Sequence, residues 1–247
     1  MIRIQKFLAN QGVFSRRQAD QAICDGRVLI NGEKAQLGQI LEASDRIQVD
    51  GKPVYQREIN HQLLLYNKPC GKICSQAASD RERSIWRDFP RLKTGKWVSV
   101  GRLDLNTSGL MLITTDGDLA NKLMHPSANL ERVYKVRVLG TVTPEILERM
   151  QKGVRLDDGV AAFKKIKKLN DEKTEKVNQW FEVTVTSGRY RMVRRIFEAC
   201  DLQVNRLVRV RYGPLILPTS LKKGHHMSLT SQDIELLKKQ LARYRQK

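Results

Sequence analysis

Long apolar runs are missing from this sequence of 247 residues. No uninterrupted apolar stretch approaches the roughly 20 residues that a membrane-spanning helix needs, and the first residues lack the apolar segment of a secretion signal. Because 40% of the residues are hydrophobic, the chain can still bury a core. We therefore expect a globular, cytoplasmic protein without a membrane partner, and a monomer as the default state.

Cysteine and histidine are scarce, with four residues of each type. Four scattered cysteines are too few for a disulfide framework. Cys70 and Cys74 have a spacing that zinc-binding pairs can show, but no second pair accompanies them. The pattern favours free thiols and no metal site.

Acidic residues are also few, with 26 Asp and Glu against 45 Lys and Arg, a net charge of +19 and a pI near 10.0. A field of this sign favours a polyanion, of which nucleic acid is the most common. An anionic membrane is the alternative. Only the closing stretch "QDIELLKKQLARYRQK" approaches a basic amphipathic helix, and it is mostly polar.

The first sixty residues have the pattern of a small separate domain. "RIQKFLANQG" and "SRRQADQAICDG" predict two helices, the second with a capping box from Ser15 to Gln18. "RVLING" and "DRIQVDG" predict short strands that end in turns. Residues 1–60 carry a net charge of only +2, which leaves +17 for the rest. With the polar segment 52–62 interpreted as a linker, the predicted domains are 1–60 and 61–247.

Beyond residue 60 the pattern is mostly β. Strands are predicted in "QLLLYNKP", "WVSVGRL", "LMLITTDG", "RVYKVRVLG", "NQWFEVTVTSG" and "LVRVRYGPLIL". Helices are predicted in "GDLANKLMHP", "TPEILERMQKG", "MVRRIFEACDL" and residues 231–246. Many strands with irregularly placed helices indicate an α+β fold around a largely antiparallel sheet.

The stretch "GRLDLNTSGL" (101–110) contains an acid, Asp104, two residues after Arg102. A loop aspartate is usually a turn or cap residue, and "NTSG" fits a turn, so the local pattern alone favours a structural role. Asp116 and Asp118 are a second acidic pair that could hold magnesium. Their setting, "TTDGDL", is more typical of the cap between a strand and a helix.

Arginine is concentrated near the end of the chain, where only Glu198 and Asp201 offset it. Arginine binds phosphate through two parallel hydrogen bonds, so contact with a nucleic-acid backbone is favoured over a solvated face with internal ion pairs. Val193 and Ile196 indicate that one face of this helix is buried, and a buried arginine there would need an acid such as Asp104. The cluster comprises Arg189, Arg191, Arg194, Arg195, Arg206, Arg209 and Arg211.

Two further features each have a structural and a nucleic-acid-binding interpretation, and for Tyr134 packing is favoured on the residues alone. Tyr134 lies in an alternating strand, where half-buried packing is the usual role and stacking on an unpaired base is the alternative. Ser15, Arg16 and Arg17 combine two cations with the start of a predicted helix, which is a typical phosphate site.

Taken together, these stretches resemble ribosomal RNA pseudouridine synthases of the small-subunit synthase A type. "GRLDLNTSGLMLITTDGDLANKLMHP" is similar to the catalytic motif, "YNKPCGKICS" to the first motif, "ERVYKVRV" to the tyrosine motif and "GRYRMVRRIF" to the third motif. Residues 1–60 resemble an S4 RNA-binding domain. "RLDDGVAAFKKIK" and "VNRLVRVRYG" are most similar to the large-subunit pseudouridine synthase B group. The third motif departs from the family at Ser187, Tyr190 and Met192.

The resemblance implies the pseudouridine synthase fold and the isomerisation of a uridine in 23S rRNA near the peptidyl-transferase centre, without cofactor or metal. The substrate would be the rRNA or a large-subunit assembly intermediate. Asp104 would attack C1′ or remove a proton from C2′, and Arg194 would keep Asp104 ionised. Tyr134 would stack on the flipped base. The implied RNA contacts are Arg102, Arg189, Arg191, Arg195, Lys68, Ser15, Arg16 and Arg17.

Two other classes of protein remain open from the sequence. A non-catalytic RNA-binding factor of ribosome assembly would explain the charge and the S4-like domain but would not need Asp104. A metal-dependent nuclease using Asp104, Asp116 and Asp118 would cut RNA and lose activity with EDTA.

Overall fold

The computed structural model describes residues 1–58, 61–169 and 178–245. Backbone contacts divide the chain into two compact units. The first unit comprises Met1–Gln62, Pro90–Val98 and Thr114–Gly117, and the second comprises Leu63–Phe89, Ser99–Ile113 and Asp118–Lys247. The first unit thus includes two short segments that no sequence pattern indicated, and the domain boundary at residue 60 stays a prediction.

Two helices and six short strands occur in residues 1–54. Both predicted helices are confirmed, and the capping box is present: Ser15 Oγ accepts from Gln18 N at 3.2 Å, and Gln18 Oε1 accepts from Ser15 N at 2.9 Å. The helices are α1 (Ile4–Asn10) and α2 (Arg16–Cys24). The strands are β1 (Ile2–Arg3), β2 (Val28–Ile30), β3 (Glu33–Lys34), β4 (Ile40–Leu41), β5 (Ile47–Val49) and β6 (Lys52–Val54).

The predicted linker, 52–62, begins with a strand. β6 pairs antiparallel with β5, and β5 pairs with β2 in a sheet of order β3-β2-β5-β6. Asp50 and Gly51 both have positive φ, 50° and 74°, as the two central residues of a type I′ hairpin turn require. The linker interpretation was wrong for Lys52–Val54, because the Asp-Gly turn signal was taken as the end of the sheet and not as a hairpin.

The largest sheet formed by the described residues contains nine strands. Its order is β13-β14-β10-β15-β9-β7-β17, with β16 added to β15 and β8 to β9. β15 and β9 run parallel, whereas β10 pairs antiparallel with both β14 and β15, so the expected mixed, largely antiparallel α+β fold is confirmed. The strands of this sheet are β7 (Leu63–Lys68), β8 (Val98–Val100), β9 (Thr107–Thr114), β10 (Arg132–Leu139), β13 (Lys165–Leu169), β14 (Asn178–Val185), β15 (Gln203–Tyr212), β16 (Leu215–Ile216) and β17 (His226–Ser228). A separate antiparallel hairpin is formed by β11 (Val154–Leu156) and β12 (Gly159–Ala161).

Four further α-helices flank these strands. Thr143 caps one of them through a bond from Ile146 N to its hydroxyl at 3.4 Å, with Pro144 in the first turn, as predicted. None of the described helices is both long and apolar enough to cross a membrane. The helices are α3 (Gly117–Met124), α4 (Pro144–Lys152), α5 (Met192–Glu198) and α6 (Ser231–Arg245). Short 3-10 helices span Ala78–Arg83, Ile85–Asp88 and Pro126–Ala128.

Aromatic packing fixes α5 against one face of the sheet. The Phe197 ring lies 6.2 Å from that of Phe181 on β14 and 5.4 Å from that of Phe163. Neither Phe197 nor Phe181 is exposed to solvent. This packing fixes the position of Arg194, which lies on the same short helix.

Candidate active site

The loop that carries Asp104 joins β8 to β9, and a buried lysine holds its backbone. Lys68 is the last residue of β7 and has no exposed surface. Its Nζ donates to the carbonyl oxygens of Asp104 at 3.0 Å, Thr107 at 2.9 Å and Pro69 at 3.0 Å. All three donors of the ammonium are thus used. The structure corrects the expectation that Lys68 contacts RNA, because its side chain is enclosed and fully bonded to backbone.

The main-chain carbonyls of Leu105 and Asn106 also accept hydrogen bonds from residues outside the loop. Gly71 N donates to Leu105 O at 2.9 Å. Arg194 Nη2 donates to Asn106 O at 2.9 Å, and its Nη1 donates to Val204 O at 2.7 Å. Four consecutive carbonyls therefore have fixed partners, and Arg194 joins the loop to β15.

Arg194 acts on Asp104 through charge and through the loop backbone. Within the described ranges, no ion pair of 4.0 Å or less joins the two side chains. Burial lowers the pKa of Arg194, and the like charge of Arg191 lowers it further, while the negative charge of Asp104 opposes the change. Arginine stays protonated under such shifts, so a buried cation lies close to Asp104 without a direct contact.

Asp104 lines a cavity of about 300 Å³ in the second unit. This volume is at the lower end of the range for small-molecule sites, about 300–1,000 Å³. Of the other predicted site residues, Arg102, Tyr134, Arg189 and Arg191 also line this cavity. So do the three positions where the third motif departs from the family: Ser187, Tyr190 and Met192.

Tyr134 lies on β10, with 8% of its surface exposed, and borders the cavity. It pairs with Val183 on β14 and with Arg209 on β15. The side chain is therefore packed in the sheet and also lies beside the space that contains Asp104. Stacking on a base stays a prediction.

The arginine-rich segment is largely paired with acids of the same unit. Arg195 Nη2 lies 2.6 Å from Asp158 Oδ1, and Arg189 Nη1 lies 3.5 Å from the same oxygen. The hydrogen bond from Arg195 is the main reason that the pKa of Asp158 falls below its usual value. Arg191 lies 3.6 Å from Glu198. Internal ion pairs, which the sequence pattern disfavoured, thus neutralise part of this cluster. Asp158 lies beside Arg189 and Arg195 although it is 31 and 37 residues away from them in the sequence.

Arg191 has an unusual backbone conformation at the edge of the cavity. Its φ of 46° and ψ of 26° lie in the left-handed region, immediately before α5. A residue with a side chain in a rarely occupied region carries about 1–3 kcal/mol of strain, and such residues are concentrated at functional sites. Here the conformation turns the chain from the cavity wall into the helix that carries Arg194.

Two cavity residues were missed as individual site residues. Arg132 Nη1 donates to Thr186 O at 2.7 Å, and Arg209 Nε donates to Leu110 O at 2.7 Å. Both guanidinium groups lie 5.2 Å from the ring centroid of Tyr212. The alternation of side chains along a strand could have found Arg132, because it lies two residues before Tyr134. No local signal in the sequence gives the strand register that pairs Arg209 with Tyr134.

The predicted phosphate site of the first unit lies at the start of α2. Ser15, Arg16 and Arg17 are all exposed there. The hydroxyl of Ser15 already accepts from Gln18 N, so it satisfies the helix end itself. Phosphate contact at this position stays a prediction for the two arginines.

Residues 1–58, 61–169 and 178–245 contain no group of metal ligands. No three or more His, Cys, Asp or Glu side chains there come together in a way that could hold a metal ion. Asp104, Asp116 and Asp118 therefore form no such group. The cysteines, Cys24, Cys70, Cys74 and Cys200, are free.

The chain belongs to the RNA pseudouridylate synthase family. The family model of that description matches residues 62–199, more than half of the chain, and the S4 domain model matches residues 2–47. The resemblance is thus confirmed at the level of a pseudouridylate synthase with an S4 domain.

Individual relatives agree with this assignment. Ribosomal large subunit pseudouridine synthase B of Pseudomonas aeruginosa is 43% identical over 242 residues, which are 97% of this chain and 62% of that protein. The protein of the same name from Escherichia coli strain K12 is 45% identical over 227 residues, 90% of this chain and 77% of that one. A crystal structure of a pseudouridylate synthase matches with a TM-score of 0.66 and 30% identity, over 96% of this chain and 100% of that one.

Proposed function

We propose that this protein isomerises one uridine of large-subunit ribosomal RNA to pseudouridine. The proposal rests on the position of Asp104. This residue lines a cavity, and the four main-chain carbonyls from Asp104 to Thr107 accept hydrogen bonds that fix the loop. The names of the similar bacterial proteins support ribosomal RNA of the large subunit as the substrate. In this proposal the target is a uridine of 23S rRNA near the peptidyl-transferase centre, in free rRNA or in an assembly intermediate.

The reaction breaks the bond from ribose C1′ to uracil N1 and forms a bond from C1′ to C5. The proton on C5 leaves and N1 gains one, so the composition of the RNA is unchanged. One carboxylate is enough for this chemistry: Asp104 either attacks C1′ or removes a proton from C2′. A fixed backbone supports both routes, because a catalytic group misplaced by about 1 Å can lower the rate about 100-fold.

The target nucleotide must leave its stack to reach Asp104, at a cost of a few kcal/mol. In our proposal the ring of Tyr134 stacks on the flipped uracil. Arg102, exposed on the same loop as Asp104, holds the RNA backbone at the mouth of the cavity. Arg189, Arg191 and Arg195 contribute positive charge there, reduced by their acidic partners.

Residues 1–60 would form the RNA-docking domain and residues 61–247 the catalytic domain. The match of the S4 model to residues 2–47 supports the first assignment. Arg16 and Arg17, both exposed at the start of α2, are the proposed phosphate contacts of that domain. We take the protein to act as a monomer.

The proposal is tested with large-subunit rRNA that carries tritium at uridine C5. Isomerisation releases this tritium to water, because C5 becomes the glycosidic carbon. We expect about one equivalent per rRNA, the same release in the presence of EDTA, and none from Asp104→Asn.

Asp157→Asn is the matched control, since Asp157 is an exposed aspartate of the same unit, and it should react like the wild type. Tritium release by Asp104→Asn at the wild-type rate would overturn the assignment of Asp104. An absence of release from free rRNA and from assembly intermediates, with tight binding of intact RNA, would favour the assembly factor. Cleaved RNA that EDTA protects would indicate the nuclease.

A further inference from the structure

The sheet side that faces away from the cavity carries a second group of cations. Side chains alternate between the two faces of a strand, so Lys135 lies on the opposite face from Tyr134. Lys135 is exposed, whereas Val136, on the same side as Tyr134, is completely buried. We name this solvent-facing side of β13, β14, β10 and β15 the outer face.

Strand pairing arranges the outer-face side chains in two adjacent rows. At a strand spacing of about 4.8 Å, each row extends roughly 14 Å across the four strands. The first row is Lys167, Glu182, Lys135 and Val208. The second row is Leu169, Trp180, Arg137 and Arg206.

These rows contain four cations and one acid, Glu182. Among the residues that the structure describes, no carboxylate oxygen lies within 4.0 Å of the charged nitrogens of Lys135, Lys167 or Arg206. The outer face differs in this respect from the cavity-side arginines, which Asp158 and Glu198 partly neutralise. Within the described part of the chain, its positive charge is therefore largely uncompensated, which favours an anionic partner.

The second row also contains an aromatic platform. The guanidinium carbon of Arg206 lies 5.9 Å from the ring centroid of Trp180, and Trp180 is half-buried. Arg137 lies next to Trp180 in the pairing and donates from Nε to Asn205 Oδ1 at 2.9 Å. Unpaired bases stack on aromatic rings and on the planes of guanidinium groups, so flat groups and phosphate-binding cations lie side by side.

We propose that the outer face is a second RNA-binding surface, which holds an unpaired segment of the substrate RNA outside the active site. Lys135, Lys167 and Arg137 bind its phosphates, and a base stacks on the Arg206–Trp180 pair. The nucleotide in the cavity cannot make these contacts, because the two surfaces lie on opposite faces of the sheet. This inference rests on the proposed function insofar as the bound polymer is the substrate RNA.

The test compares two triple variants that lose the same charge. The outer-face variant is Lys135→Gln, Arg137→Gln and Arg206→Gln. The control is Lys222→Gln, Lys223→Gln and Lys238→Gln, at exposed positions elsewhere in the same unit. Dissociation constants are measured by filter retention on a domain-sized fragment of large-subunit rRNA and on a short hairpin that retains the target site.

We expect the outer-face variant to bind the long fragment about tenfold more weakly. Its salt slope should be about 1.4 units shallower, at roughly 0.7 for each of the two phosphates that Lys135 and Arg137 no longer bind. Its hairpin affinity and rate of tritium release should stay within about twofold of the wild type, because an RNA too short to reach the outer face loses nothing. The control should change both affinities by about twofold or less, since scattered exposed cations are screened.

Three results would overturn the inference: an unchanged affinity of the outer-face variant for the long fragment, an equal loss in the control, or an equal loss on the hairpin. An outer face that binds an acidic protein would give the first result. If the triple variant does not fold, Lys135→Gln with Lys167→Gln alters only two exposed lysines and answers the same question. RNA binding and tritium release are measured in separate assays. A protein that binds RNA through the outer face but releases no tritium would contradict the proposed function and not this inference.

Discussion

The ammonium of Lys68 donates to the main-chain oxygen of Asp104 at 3.0 Å. The same group reaches Thr107 O at 2.9 Å, so one buried cation holds both ends of the turn that presents the carboxylate. Lys68 belongs to the stretch "YNKPCGKICS", which therefore fixes the backbone of the stretch that carries Asp104. The carboxylate of Asp104 remains available to the cavity.

Replacing Lys68 by methionine should disorder this turn. Three carbonyls would lose the Lys68 donor, and that of Asp104 would keep another, from Thr107 N at 3.0 Å. A buried polar group without a partner costs about 1–3 kcal/mol. Partial relaxation reduces that sum, so we expect the free energy of unfolding to fall by about 2–4 kcal/mol and tritium release to fall at least tenfold. Urea unfolding and the tritium assay measure the two effects. Lys122→Met, at an exposed position, should alter stability by less than about 0.5 kcal/mol. Full activity of Lys68→Met would contradict this role.

Arg194→Lys tests whether the planar guanidinium is needed. Its two terminal nitrogens donate to Asn106 O and Val204 O, and a single ammonium cannot reproduce this fork. We expect the substitution to keep the charge and lower kcat about 10–100-fold, with little change in RNA affinity. Asn106→Ala is the control, because the bond uses the main-chain oxygen and should survive. A larger loss in Asn106→Ala than in Arg194→Lys would rule out this explanation.

Local signals in the sequence predicted the helices, and long-range contacts determine the site. Ser15 and Thr143 are caps that act within three residues, so the starts of α2 and α4 could be predicted. Lys68 and Asp104 are 36 residues apart, and no periodicity indicates that one reaches the backbone of the other. Resemblance to the family led to Asp104, where the local pattern favoured a turn.

The edge strand β13 and the ion pairs between distant segments also could not be predicted from local sequence patterns. β13 (Lys165–Leu169) contains three lysines and was not predicted, because lysine is depleted in strands in general but common on exposed edges. Asp158 lies far along the chain from Arg189 and Arg195, which is why their pairing was underestimated. The sheet determines which charges remain unpaired.

Gly109 allows β9 and β15 to approach each other. Its φ is +105°, and a Cβ at this position would lie 2.2 Å from the carbonyl oxygen of Arg209. Gly109→Ala should therefore separate the parallel strands, lower the free energy of unfolding by more than about 2 kcal/mol and reduce activity. Gly117→Ala should be neutral or slightly stabilising, because that glycine has ordinary φ and no heavy atom within 4 Å of the added carbon. Equal unfolding midpoints for the two variants would contradict the close approach.

Two substitutions at Tyr134 separate ring stacking from other roles. Tyr134→Phe keeps the ring, so the hairpin dissociation constant should stay within about twofold of the wild type, whereas Tyr134→Ala should lose about 1–3 kcal/mol of binding if a base stacks there. Binding is measured by filter retention, independently of turnover. If Tyr134→Ala bound as tightly as Tyr134→Phe, the side chain would serve only the packing of β10.

Glu131 gives the stability of the second unit a defined pH dependence. Its carboxylate lies 2.8 Å from Lys164 Nζ and 2.7 Å from Arg211 Nη2, and the bond from Lys164 is the main reason that its pKa falls below the usual 4.5. A carboxyl whose pKa is lower in the folded state contributes stability that is complete above its unfolded pKa and is lost as the pH falls through the folded value. Because Lys164 is half exposed, we expect Glu131→Gln to be destabilised by only about 1 kcal/mol at pH 7. The difference from the wild type should shrink as the pH falls below 4.5, as measured by urea unfolding at a series of pH values. Glu82→Gln, at an exposed position, should show no such trend, and a difference for Glu131→Gln that stays constant with pH would assign its effect to packing.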